Sequence, residues 1–443
     1  MIYLALFGIA AVIFALGLWF FTKFLVISVF PFAVVDQNEP IGADHALVFG
    51  HHAATIIGGT TILGVGIGLA WGWAPAFLWI VAATAVLAGT LAIGGVWIRE
   101  HYAPEELFGV RGAVPLYGLL GAWLLCINPL LALTVASSVD AVPSALLPVL
   151  VLALFSRALA GYLSRIPMAA TAVAVIGLVL IIATGQAWPL SINGTIVIDL
   201  AGFDWALEPY LLLLVVILAL AHLGAALPAA RLGKPKGYLV MINLTVFALA
   251  ALLGLVVTGA DMSAPPYHRP SGISSPVPLL FVAITGGAVA AFHALVEHTG
   301  APTQPIARAR FTYGIAVADG VVAILILFVV IGSITGEAWE RAFATWPLQG
   351  SLDQWALRII DASAGALASL GIPPGWGRGW AAFTIASLAM VTLEAGFRVQ
   401  QFLLDRVAPP KRDNTAWRAR RGRLPVVAVG VLAVLGSDFY LSL

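Results

Sequence analysis

His293 and Glu297, in the stretch GGAVAAFHALVEHTGAPTQ, stand four residues apart and so share one face of a helix. A histidine and a carboxylate placed this way can hold a proton near neutral pH, because each charge favours the ionised form of the other. The structural alternative is a polar cluster at a helix end, capped by Gly300. Asp319, in TYGIAVADGVV, is a lone carboxylate in a strongly apolar run and a second candidate for carrying a proton. Glu394 and Arg398, in MVTLEAGFRVQQFLL, are also four apart, with the acid first, the favourable order for a pair within one helix. If dry, that pair serves better to lock helices together than to move protons. Arg398 reads as structural, and Glu394 is open to either role.

A different chemistry is written into residues 49–72, FGHHAATIIGGTTILGVGIGLAWG. Gly58 and Gly59 fall in the middle of the run, with Thr60 and Thr61 beside them and His51 and His52 at its entrance. Paired glycines weaken a helix, and neighbouring hydroxyls can satisfy the backbone groups that are freed. A helix opened at that depth offers N–H groups to an anion and carbonyls to a cation. Gly64, Gly68 and Gly72 recur every fourth residue and read instead as a seam for close helix packing. A histidine at an interface is often only a satisfied polar tip, so one of the pair can be structural. His222 precedes Pro228, which should kink or end its helix.

These residues sit in a chain whose composition dictates its solvent. Of 443 residues, 61 % are hydrophobic and 10 % charged, and the mean hydropathy is +1.01. A soluble chain would need roughly a quarter of its residues charged, so the expected surroundings are lipid. A net charge of +1 argues against a nucleic-acid partner, and the single cysteine, Cys126, excludes a disulfide scaffold. Residues 1–22 lack the basic start and the small-residue cleavage site of a secretory signal. There is no Walker A sequence, no G-x-S-x-G elbow and no haem-attachment motif, so neither ATP-driven transport nor a cofactor is expected. A metal site from His51, His52, His293 and Glu297 is chemically conceivable, but adjacent histidines rarely serve one ion without contorting the backbone.

A bilayer-spanning helix needs ~20 mostly apolar residues. Such runs lie near 3–30, 46–70, 76–98, 114–137, 143–164, 166–186, 209–230, 238–260, 277–298, 312–335, 379–405 and 424–442, which predicts an all-α polytopic membrane protein of about twelve spans. The stretch 336–378 is polar and rich in Trp, Pro and Gly, and is expected outside, with an amphipathic piece at 353–370 that is interfacial or re-entrant. With the N-terminus outside, the inside connections hold sixteen of the twenty-two Lys and Arg residues, among them Lys234, Lys236 and the basic loop 406–423. The outside connections hold only Arg269, Arg341, Arg358 and Arg378. That asymmetry places both termini outside, in a single transmembrane domain covering 1–443.

Six ordered stretches resemble the carbon starvation protein A family of inner-membrane carriers. LVFGHH at 47–52 is similar to the family's LFGHHF, and PAFLWIVAATAVLAG at 75–89 to its next helix. LPAARLGKPKGYL at 227–239 resembles LPVWLLLQPRDYL, and the His293 stretch resembles GAISGFHALISSGTTPK. ARFTYGIAVADG at 309–320 matches a stretch ending in a carboxylate, and VTLEAGFRVQQFLL at 391–404 is similar to TTLDTATRLARFLL. The chain also departs from the family. It has Ala53 for a phenylalanine, Thr60 to Gly64 in place of the proline-bearing GPIVGP, and Val296 to Gly300 in place of ISSGTT.

The resemblance implies a secondary carrier of the LeuT-like superfamily, with two inverted five-helix repeats. These would be 46–186 and then 209–335 with 379–405. It implies proton-coupled uptake of a small organic anion or a peptide, of pyruvate or peptide type, by alternating access. Gly58, Gly59, Thr60, Thr61, His51 and His52 would bind substrate, and His293, Glu297, Asp319 and Glu394 would couple the ion, a proton before sodium. The partners implied are substrate, coupling ion and bilayer, with an oligomer open. The alternative is a non-transporting membrane subunit or scaffold of a larger complex, for which the missing prolines and the added Glu297 and His298 would be signs of a repurposed site.

Overall fold

The computed structural model describes residues 2–30, 43–91, 93–94, 97, 114–163, 167–192, 196–200, 203–207, 209–227, 232–259, 261–269, 305–343, 352–407 and 415–435. The expected span at 277–298, with His293 and Glu297, lies outside them, as do residues 408–414 of the expected basic loop, whose residues 415–423 are helical instead.

Apolar runs become helices because a backbone in lipid must satisfy its own N–H and C=O groups. In chain order they are α1 (Ile2–Val29), α2 (Ala43–Ile56), α3 (Gly59–Leu69), α4 (Trp73–Leu91), α5 (Val114–Ala141), α6 (Pro143–Leu163) and α7 (Pro167–Ala187). After a hairpin of β1 (Ile196–Leu200) and β2 (Phe203–Leu207) come α8 (Pro209–Ala226), α9 (Gly233–Thr258) and α10 (Pro305–Ser333). The chain continues through α11 (Gly336–Phe343), α12 (Leu352–Ala368), α13 (Pro374–Val407) and α14 (Thr415–Leu435). Proline opens α6, α7, α8, α10 and α13, where its missing N–H is lost to no helical bond. Gly259, at φ 61°, closes α9 in the left-handed conformation that glycine adopts without strain.

Eight helices among the described residues are long and apolar enough to cross a bilayer, and 46–56, 127–141 and 423–434 are shorter apolar helices. The difference from twelve expected spans has identifiable sources. One expected span, 46–70, is split into α2 and α3, and one, 277–298, is not described. The hairpin was not anticipated; its strands pair antiparallel, Ile196 opposite Leu207 through Leu200 opposite Phe203.

The helices are ranked by enclosure. In α13, 94 % of the most apolar window is buried, against 17 % in α1, so α13 is the axis and α1 the rim. Around α13 pack α5, α8, α9 and α12, while α10 joins α2, α3 and α4 to α12. The amphipathic piece of 353–370 forms α12, whose Ile359, Ile360 and Leu367 are buried in this bundle. Tyr313 of α10 pins the rim. Its hydroxyl donates to the Ala85 carbonyl at 2.8 Å, within a π-helical turn over Ala83–Ala88. Its ring fills the hollows left by Gly17 and Gly89, where any Cβ would strike it.

Candidate functional site

The expected break is present and it falls among the glycines. α2 ends at Ile56, α3 begins at Gly59, and Ile57 and Gly58 between them are not helical. The Ile57 amide still donates back to Ala53 at 2.8 Å, and the Thr61 amide donates to Gly58 at 3.1 Å to start the new helix. At the end of α2 the Thr55 carbonyl accepts a 2.9 Å hydrogen bond from the Thr392 hydroxyl of α13. Thr392 sits so close to Gly58 that a Cβ there would overlap its oxygen. Glycine at 58 is therefore required for the close approach of α13.

In the first turn of α3, the Thr61 hydroxyl donates to Asp319 Oδ1 of α10 at 2.5 Å. Asp319 is half-buried, and Thr61 is its hydrogen-bond partner among the described residues. The neighbouring Gly320 lies against Thr84 of α4, where a Cβ would collide with the hydroxyl. Two sequence-predicted residues, 258 positions apart, are thus brought together where α3, α4 and α10 meet.

His51 and His52 are buried, at 2 % and 5 % exposure, with ring centroids 5.7 Å apart. They occupy the crossing of α2 and α9. A Cβ on Gly237 would come within 2.6 Å of the His51 Cα, and one on Gly50 within 2.9 Å of the Tyr238 Cα. A glycine on each helix, set against the other's backbone, lets the two approach closely.

Glu394 has a partner that spacing does not predict. Its Oε1 accepts from Lys236 Nζ of α9, in an ion pair whose side chains are 5 % and 4 % exposed. Lys236, expected in an inside connection, is instead buried, because α9 begins at Gly233 and draws it into the first turn. Arg398 donates from Nη2 to the Gly224 carbonyl near the end of α8 at 2.8 Å, and its guanidinium lies against Gly233. The Glu394 region therefore fastens α8 and α9 to α13.

Sequence reasoning also missed Asn128. It is 1 % exposed, lies against Gly396 of α13 and precedes Pro129 inside α5. Neither its Oδ1 nor its Nδ2 has a hydrogen-bond partner among the described residues. Asn243, by contrast, donates to Thr384 and accepts from Trp380, both at 2.9 Å. The signal for Asn128 was its type, an amide before a proline in an apolar run, but the partnering that distinguishes it from Asn243 is tertiary.

Apolar helices enclosing one interrupted rod, with carboxylates paired inside, define a multi-pass helical membrane protein. The family described as carbon starvation protein CstA matches residues 3–345, and the chain belongs to that family. It is 26 % identical over 317 residues to the pyruvate/proton symporter BtsT of Escherichia coli K12, covering 66 % of this chain and 42 % of that protein. To the peptide transporter CstA of Campylobacter jejuni it is 25 % identical over 326 residues, covering 66 % and 43 %. To the peptide transporter CstA of Mycobacterium tuberculosis the identity is 26 % over 282 residues, covering 59 % and 36 %. The chain thus spans less than half the length of the curated relatives it matches.

Proposed function

We propose that this chain is a secondary active transporter that takes up a small organic anion or a peptide together with protons. The observation that carries the reading is the interrupted rod α2–α3 with Asp319 held against its second half by Thr61. Its relatives, one named a pyruvate/proton symporter and two named peptide transporters, support this substrate class, and the first of them supports the proton.

In this reading the substrate carboxylate sits at the start of α3, around Gly58 to Thr61, where the positive end of the helix dipole favours an anion. Asp319 is the proton carrier. Ionised, it accepts from Thr61 and holds α3 to α10; protonated, it gives up the charge that strengthens that bond, so α3 is released. Charge and conformation are then linked, as alternating access requires. His293 and Glu297 form a second proton site, and Glu394 with Lys236 a lock between α9 and α13 that must stay closed while α2 and α3 move. The arrangement is LeuT-like, with repeats at 46–186 and at 209–335 plus 379–405, in the inner membrane with both termini outside.

The test is uptake of labelled pyruvate and labelled dipeptides into proteoliposomes with an imposed inward proton gradient. Accumulation of one of them above equilibrium, abolished by a protonophore, is expected. Asp319→Asn keeps an acceptor for Thr61 but cannot carry a proton, so it should lose accumulation and retain exchange. No flux of either class would leave the non-transporting subunit as the better account.

A further inference from the structure

On the outer helix α1, Val12, Ala15, Leu16, Trp19, Phe20 and Lys23 follow one another at helical spacing and form a single stripe. With Arg310 of α10 they line an open groove of about 550 Å³. Among the described residues that line it are two cations and no carboxylate. The Arg310 guanidinium lies 4.2 Å from the centroid of the Trp19 ring. Stacking on an aromatic face leaves the in-plane N–H donors of an arginine available to a second ligand.

We infer that this groove holds one anionic phospholipid, its phosphate on Lys23 and Arg310 and an acyl chain along the stripe toward Val12. The dimensions support it. From Val12 to Lys23 the helix rises ~17 Å, close to half of a hydrocarbon core ~30 Å thick, so the groove is one leaflet tall with both cations toward one end. The chemistry supports it as well. A zwitterionic headgroup brings its own ammonium to a lining whose two cations meet no carboxylate among the described residues, whereas an anionic one matches them. A second copy of the chain meeting this stripe about a two-fold axis would set Lys23 and Arg310 against the same cations. Trp19, at 58 % exposure, supplies the amphipathic ring that favours the headgroup level, and Phe20, at 70 %, adds apolar surface beside it.

The experiment embeds the full chain in nanodiscs of equal phosphatidylglycerol and phosphatidylcholine, extracts it gently and weighs retained lipids by native mass spectrometry. Each cation near the surface is worth about a factor of five, so wild-type protein should retain phosphatidylglycerol with about 30-fold preference, falling as salt is raised. The double variant Lys23→Gln with Arg310→Gln should retain both lipids alike at an unchanged melting temperature. Equal retention of the two lipids by wild type overturns the proposal and requires no variant to fold. A double variant that keeps the preference, or a salt-independent preference, overturns it too.

Discussion

The pair Lys236–Glu394 offers the sharpest test of how the bundle is held. Both side chains are almost dry, at 4 % and 5 % exposure, and they join α9 to α13 across 158 residues of sequence. Replacing Lys236 by Met leaves a buried carboxylate without its cation, and Glu394→Gln leaves a buried ammonium without its anion. Breaking such a pair on one side costs about 3–5 kcal/mol. Replacing both, as in Lys236→Met with Glu394→Leu, removes the two desolvation penalties along with the attraction, and such exchanges are neutral to ~4 kcal/mol stabilising. Reversible unfolding in mixed micelles should therefore show two weak single variants and a double variant near wild type, a coupling of several kcal/mol. Single variants within ~1 kcal/mol of wild type, or a double variant as weak as their sum, would refute the assignment of this pair as a buried lock. Uptake by the double variant separates the two roles of Glu394. Retained accumulation leaves coupling to Asp319, and its loss with stability intact assigns coupling to Glu394.

Other outcomes follow from the same geometry. Gly58→Ala places a methyl on the Thr392 hydroxyl and should cost ~1–3 kcal/mol or more in stability while stopping uptake; uptake at the wild-type rate would mean that the α2–α13 contact is not needed for transport. Asn128→Leu removes an amide that is buried with neither polar atom partnered among the described residues. It should raise stability by about 1–3 kcal/mol in the same unfolding assay, and a loss of stability would show that the amide is engaged. Asp319→Asn, measured as accumulation against exchange in proteoliposomes, reads the proton-carrying role directly.

Part of the candidate site's geometry was legible because lipid makes polar residues conspicuous. Gly58, Gly59, Thr60, Thr61 and Asp319 were all singled out by type and position, and the break falls at Ile57–Gly58. What spacing misread was partnership. Glu394 and Arg398 are four apart and were read as a pair, yet Glu394 bonds to Lys236 and Arg398 to the Gly224 carbonyl. A periodicity argument sees only neighbours on one helix. Lys236 was misplaced for a related reason. Counting basic residues between apolar runs puts it in a loop, but the helix starts at Gly233 and the buried carboxylate from another helix makes its interior position tolerable.

By itself, the sequence determined the solvent, the helical class and the place where one rod breaks. These are local consequences of composition and of glycine's freedom, and they need no knowledge of neighbours. Only the tertiary structure decided which side chain meets which: Thr61 with Asp319, Thr392 with the end of α2, Lys236 with Glu394. In a bundle whose helices are apolar on every face, hydropathy does not say which face turns inward. The order of the helices around α13 is set by close contacts at small residues and by a few charges that find partners far along the chain.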